Sequence, residues 1–102
     1  MDIETIRAKI RAKQYLIYDH AITEAFKDGL SLNDVLHALL TGEIIEEYPE
    51  RRRCLVYGNS PDGMPVHVAV DYARSDIEIA TTYVPDSREW IRFRIRKLRQ
   101  HR

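Results

Sequence analysis

The apolar residues of this chain change their period at Gly42. Before it they recur every three or four residues: Ile3, Ile6 and Ile10, then Ile22 and Phe26, then Leu32, Val35, Leu36, Leu39 and Leu40. After it they fall in short runs with the period of strands, "EIIEEY", "RCLVYG", "PVHVAVDY" and "IEIATTYV". A period of about 3.6 residues lays one apolar stripe along a helix, and a period of two lays one apolar face on a strand. Both in succession predict helices packed on one face of a sheet, an α+β layer architecture. A chain of 102 residues has room for one such core and not for two, so residues 1–102 are expected to form one domain.

Local chemistry sets the expected boundaries. Residues 2–13 read as an amphipathic helix. Asp19 caps a second, which Gly29 stops, and Ser31 with Asp34 resembles a capping box that opens a third, running to Gly42. The connections "PERR", "NSPDGM" and "ARSD" are turn-like, which predicts a four-strand antiparallel meander. Pairing Tyr72 with Ile77 puts Val66, Val68, Val70 and Tyr72 on the core face with Ile77, Ile79, Thr81 and Tyr83. The other face then shows His67, Ala69 and Asp71 beside Glu78, Ala80 and Thr82, and a slip of one residue exchanges the two. In the last segment, Ile91, Phe93 and Ile95 alternate with Arg92, Arg94 and Arg96 as in a strand, while Ile91, Ile95 and Leu98 fit a helical stripe. Asp86 followed by Glu89 after Pro85, with basic residues at the end, favours a C-terminal helix anchored by Trp90 and Phe93.

Charge and motifs remove several function classes. Sixteen basic and sixteen acidic residues cancel, so the whole-protein field does not draw nucleic acid. From Arg88 onward, however, seven basic residues face one acid, Glu89, and "GEIIEEYPE" carries four glutamates. Such asymmetry marks either a partner surface or two faces that pair with each other. No apolar run reaches the roughly 20 residues of a membrane helix, and "MDIETIRAKIRAK" lacks the pattern of a secretory signal, so a cytoplasmic location with no membrane partner is expected. Cys54 stands alone and reads as a half-buried strand cysteine. Phosphate-loop, dinucleotide, nucleophile-elbow and zinc-protease signatures are absent, and His20, His37, His67 and His101 do not pair at three or four residues. No metal or cofactor is expected.

Metal-free ribonuclease chemistry asks only for a general base, a general acid and cationic stabilisation of the phosphate. His20 and His67 are the acid-base candidates, Tyr83 orients or donates a proton, and Arg92, Arg94 and Arg96 hold phosphates. The same residues also have structural readings. His67 suits a hydrogen-bonded strand histidine, Tyr83 a core aromatic with its hydroxyl at the rim, and the arginines the wet side of a helix. His37 suits the solvated side of the third helix, and Glu46, Glu47 and Glu50 a solvated acidic edge.

The segments "YDHA", "DGLSLNDVLHALLTGEIIEEYP", "CLVYG", "GMPVHVAV" and "ATTYVPDSREW" follow one another in an order that resembles the bacterial domain-of-unknown-function family forty-two fifty-eight, from Tyr18 to Trp90. That family's pattern is distantly similar to the BrnT and RelE toxins, compact α+β ribonucleases held by antitoxins. The resemblance implies a RelE/BrnT-like fold, RNA or the ribosome as target, and an antitoxin-like protein partner. It carries recurrent polar positions onto His20, Glu43, Tyr48, His67, Thr81, Tyr83 and Trp90, and turn positions onto Gly29, Gly42, Gly58 and Pro65. The chain departs from the pattern at Glu24 and Asp28, acidic where members often carry basic residues. The alternative is a non-catalytic module that binds a protein partner or forms a homodimer, its arginines pairing with the glutamates of "EIIEEYPE".

Overall fold

A computed structural model describes residues 1–98. Three helices, α1 (Ile3–Arg11), α2 (Asp19–Lys27) and α3 (Leu32–Thr41), lie on a five-stranded mixed sheet. Its strands are β1 (Tyr15–Ile17), β2 (Glu43–Tyr48), β3 (Arg53–Asn59), β4 (Pro65–Asp71) and β5 (Ile77–Tyr83), in the spatial order β1-β5-β4-β3-β2. Two further strands, β6 (Trp90–Ile91) and β7 (Ile95–Arg96), make a separate hairpin.

The helix starts follow their caps. Asp2 Oδ1 accepts from the Thr5 amide at 2.8 Å, and Ser31 and Asp34 exchange side-chain and backbone bonds at 2.8 and 3.1 Å in a full capping box. Asp19, expected as a cap, is instead the first residue of α2, and Tyr18 holds the cap position without a side-chain bond. Gly29, at φ +78°, ends α2 in the left-handed conformation that favours glycine.

Two expectations give way. The sheet has five strands rather than four: β2, β3, β4 and β5 pair antiparallel in chain order, and β1 joins in parallel, pairing Tyr15 with Ile77 and Ile17 with Ile79. Three residues are too few to show an alternation, and the pairing that defines β1 lies about sixty positions away. The C-terminal helix is not formed among the described residues either. Asp86 Oδ1 accepts from the Arg88 amide and the Asp86 carbonyl from the Glu89 amide, which closes one turn, and the chain then extends into β6. Burial of the Trp90 side chain against Leu55 and Ala69 favours an extended segment lying on the sheet over a helix standing off it.

The register of β4 and β5 begins as expected, with Asp71 opposite Glu78 and Val70 opposite Ile79. It then shifts at a β-bulge, so that Ala69 faces Thr81, Val68 faces Thr82 and His67 faces Tyr83. The extra residue, Ala80, exchanges the faces beyond it. Thr81 and Tyr83 therefore share the face of His67, not the core face, and Thr82 goes to the core. A second bulge between Ile44 and Glu46 does the same in β2, placing Glu46 opposite Leu55.

Toward the helices, Val56, Val66, Val68, Val70, Ile77 and Ile79 pack with Ile6, Ile10, Val35 and Leu39 in one buried cluster. Each such side chain contributes on the order of 1.5–3 kcal/mol on leaving water. The helix layer sits close to the sheet where Gly58 of β3 meets α3, since a Cβ there would overlap the Ala38 backbone. Beyond β1, α2 covers the outer edge of β5: Glu24 accepts from the Thr81 hydroxyl, and Asp28 Oδ2 from the Val84 amide at 2.8 Å. The opposite face of the sheet carries the hairpin.

Candidate functional site

His67 lies at the centre of that second face, between Tyr57 on β3 and Tyr83 on β5. It is fully buried, at 0 % exposure, under Trp90, whose ring meets the imidazole edge-on at 4.4 Å. Its Nε2 lies 2.6 Å from the Phe93 carbonyl oxygen and its Nδ1 lies 3.2 Å from the Tyr83 hydroxyl. A carbonyl can only accept, so Nε2 carries the proton and donates, and Nδ1 of the neutral ring accepts from Tyr83. Burial lowers the His67 pKa below its ordinary value of 6.5 and outweighs the carbonyl bond and the Glu46 charge, which favour the cation. His67 is a neutral, doubly bonded histidine at pH 7.

The Phe93 carbonyl reaches His67 through an unusual turn. The Arg94 amide donates to the Ile91 carbonyl at 3.0 Å, and both central residues have positive φ, Arg92 at 51° and Phe93 at 61°. This is the backbone of a type I′ hairpin turn, which favours Asn and Gly. Left-handed geometry costs an ordinary residue roughly 1–2 kcal/mol. The hairpin is held against that cost by Trp90, by the Phe93 ring 6.1 Å from Tyr57, and by the bond to His67.

Beside the His67–Tyr83 pair opens a cleft of about 220 Å³ whose lining includes Glu46, Tyr48, Arg51, Thr81, Tyr83 and Arg96. Arg96 forks onto Glu46, Nη2 at 3.0 Å from Oε1 and Nε at 3.3 Å from Oε2, and its guanidinium lies 4.5 Å from the centre of the Trp90 ring. The Tyr48 hydroxyl donates to the same carboxylate. Burial alone would raise the Glu46 pKa, but the bonds from Arg96 and Tyr48 outweigh it and hold the carboxyl below its usual range. Burial pushes the Tyr83 phenol up, so it keeps its proton. The cleft thus presents an ionised carboxylate able to accept a proton, a phenol able to give one, and a guanidinium between ordered partners.

The structure brings together His67, Tyr83 and Arg96 and leaves the other expected site residues outside. His20 stands on the solvent side of α2 with its side chain 65 % exposed, Nε2 being 3.6 Å from Glu24. Among the described residues it is linked to the cleft through Glu24, which also accepts from Thr81. Arg94 lies over Tyr57 at 4.7 Å and pairs with Glu43. Arg92, at the hairpin tip, has no ion pair among the described residues. His37 is bound through Nδ1 to the Asn59 carbonyl at 2.8 Å, and His101 lies outside the described residues. The pairing of arginines with the glutamates of β2 occurs within the chain, through Glu43 and Glu46.

Glu46 and Arg51 were not singled out from the sequence as site residues. Strict alternation from Ile44 sends Glu46 to the helix side, and only the bulge turns it into the cleft. Of the positions carried by the resemblance, Tyr48, Thr81 and Tyr83 line the cleft and Trp90 lies under Arg96. Cys54 is fully rather than half buried, and burial drives its thiol pKa up to about 12, which leaves it without a thiolate. Among the described residues no group of three His, Cys, Asp or Glu side chains is placed to hold a metal ion, and no helix is long and apolar enough to cross a membrane.

Residues 17–84 match a family model described as "Domain of unknown function (DUF4258)". No curated protein and no solved structure matches the chain.

Proposed function

We propose, for a chain that belongs to the DUF4258 family over residues 17–84, a toxin-like function: binding of RNA in the cleft between β2 and β5 and its cleavage without a metal. The observation that carries this reading is the convergence of Glu46, Tyr48, Tyr83 and Arg96 on one cleft. Ionised Glu46 takes the proton of a ribose 2′-hydroxyl. The 2′-oxygen bonds to phosphorus, the bond to the 5′-oxygen breaks, and Tyr83 releases its hydrogen bond to His67 Nδ1 and gives that proton to the leaving oxygen. The products are a 2′,3′-cyclic phosphate and a 5′-hydroxyl. Arg96 stabilises the charge that builds on the phosphoryl oxygens, and Arg51 and Arg92, at the edge of the face, meet flanking phosphates. His67 acts through Tyr83 as a positioning residue, and His20 has no part in the step. In this reading the fold is of the RelE/BrnT type, the target is cytoplasmic RNA or the ribosome, and an antitoxin-like protein holds the toxin in check.

The test is incubation of end-labelled structured RNA with purified protein in EDTA, with and without ribosomes. Cyclic-phosphate ends are expected, with roughly 10²–10⁴-fold slower cleavage for Glu46→Gln and for Tyr83→Phe. Binding by three arginines to a single strand should fall with added salt at a log–log slope of about −2. One observation favours a second reading, a non-catalytic interaction module or homodimer: Arg94 and Arg96 are already neutralised by Glu43 and Glu46. Absence of both cleavage and salt-sensitive RNA binding would establish that reading instead.

A further inference from the structure

Cleavage in the cleft asks two things that its resting geometry does not grant together. Arg96 has to hold a phosphate and Glu46 has to take a proton, yet each occupies the other: Arg96 Nη2 lies 3.0 Å from Glu46 Oε1, and Nε lies 3.3 Å from Oε2. A carboxylate whose lone pairs are taken by a guanidinium is a poor base, and a guanidinium whose fork is filled is a poor anion site.

The pair is built to part on one side. The Arg96 side chain is 57 % exposed and that of Glu46 only 18 %, so the arginine is the mobile member. Glu46 also accepts from the Tyr48 hydroxyl, and the carboxylate therefore keeps its place and one bond when Arg96 leaves. The other ion pair of the cleft lacks this provision. Arg53 forks onto Asp71 at 2.6 and 3.0 Å, directly across the β3–β4 ladder, and no second side chain donates to Asp71 among the described residues. Arg51 lines the same cleft with no ion pair among the described residues, a standing attraction for an anion. The hairpin itself stays seated while Arg96 turns, because Trp90 is buried and the Phe93 carbonyl is bonded to His67.

We propose that Glu46 is an internal counter-ion that closes the anion site of the cleft, and that a phosphodiester of a single strand opens the site by taking Arg96 from Glu46. Arg51 draws the strand in, the guanidinium turns from the carboxylate to the phosphoryl oxygens, and Glu46, held by Tyr48, is released as a base only when substrate is present. The identity of the ligand rests on the RNA reading above. The pairing of Arg96 is then the resting state of a binding site, not a sign that the site is spent.

Trp90 is the single tryptophan of the chain and the Arg96 guanidinium lies 4.5 Å from its ring centre, so the exchange carries its own signal. The test titrates the full chain with a short oligodeoxythymidylate, which lacks the attacking hydroxyl, and reads Trp90 fluorescence and the Arg96 Nε–H resonance. Both should shift saturably in the wild type, and Arg96→Gln should abolish the fluorescence change. Glu46→Gln, which weakens the internal competitor, should bind the oligonucleotide about two- to fivefold tighter. Glu43→Gln removes the same charge from Arg94 and should tighten binding by less than about twofold at moderate salt. Equal tightening in the two variants would reduce the effect to net charge and overturn the exchange. Binding that leaves the Arg96 resonance unmoved, or a fluorescence change that survives in Arg96→Gln, would overturn it as well, and none of these results touches RNA cleavage, which is measured separately. Saturable shifts in a protein that cleaves no RNA would uphold the exchange while the cleavage reading fails, and no binding at all would overturn both.

Discussion

The two faces of the sheet are built from the same strands and do opposite work. Toward the helices β3, β4 and β5 present valine and isoleucine, whose burial needs no partner chemistry. Toward the hairpin the same strands present Tyr57, His67, Thr81 and Tyr83, and the polar side-chain atoms of His67, Thr81 and Tyr83 are each placed by another. Residues that stabilise and residues that could react are thus interleaved one by one, and the pleat separates them. The difference teaches that a residue in this sheet is understood by its face before its type: Thr81 and Thr82 are neighbours of one kind, yet one borders the polar cleft and the other an apolar cavity.

The sharpest way to break this contrast is to compare one deletion on each side. Ile79→Ala, at 0 % exposure on the helix side, should cost about 2–5 kcal/mol in urea denaturation. Glu46→Gln should cost less than about 1 kcal/mol while removing RNA cleavage, since the pair it belongs to remains solvent-accessible. Equal losses of stability would erase the distinction.

His67→Ala tests whether the polar face is also structural. It leaves the Phe93 carbonyl and the Tyr83 hydroxyl without their partner and should cost about 1–3 kcal/mol. The loss should appear in hydrogen exchange first in the hairpin, at the Arg94 and Lys97 amides, and least in β4. Uniform loss of protection would show that the two faces unfold together.

Acid should distinguish the faces without any mutation. The folded state holds the His67 pKa below its ordinary 6.5, so above that pH both folded and unfolded chains carry a neutral ring and this group adds no slope. As pH falls below about 6.5 the unfolded state binds the proton first, and stability should decline until the folded pKa is passed. Denaturation midpoints measured from pH 7 to 5 should fall in the wild type and fall less in His67→Gln. Parallel curves would remove His67 as the source.

The smallest effect is expected at the hairpin tip. Arg92→Asn places a residue suited to positive φ at the first central position of the turn and should stabilise the hairpin by about 1 kcal/mol or less. Slower exchange of the Arg94 amide would register it, and faster exchange would mean that Arg92 holds the turn by contacts of its side chain.

Much of the helix layer was legible locally. The Ser31–Asp34 capping box, the stop at Gly29 and the stripes of α1 and α3 rest on interactions within a few residues, and each appears as expected except at Leu32, which stands exposed at the start of α3. His67, Tyr83 and Arg96 were also recognisable as candidates by type. Their meeting was not: the expected register separated His67 from Tyr83, and an extra residue at Ala80 reunites them. His20 lies outside this cleft, beside Glu24 on α2.

What the sequence determined by itself is the succession of α1, α2 and α3 followed by β2, β3, β4 and β5, because periodicity and capping act over a turn or a pleat. What only the tertiary structure decided is which face each polar residue occupies, that residues 15–17 make a strand, and that the arginine-rich end folds back as a hairpin. Those outcomes depend on bulges that shift alternation by one residue and on burial of Trp90 against residues far away in the chain. No local preference carries that information, since the energies that choose between the alternatives are contacts across the sheet.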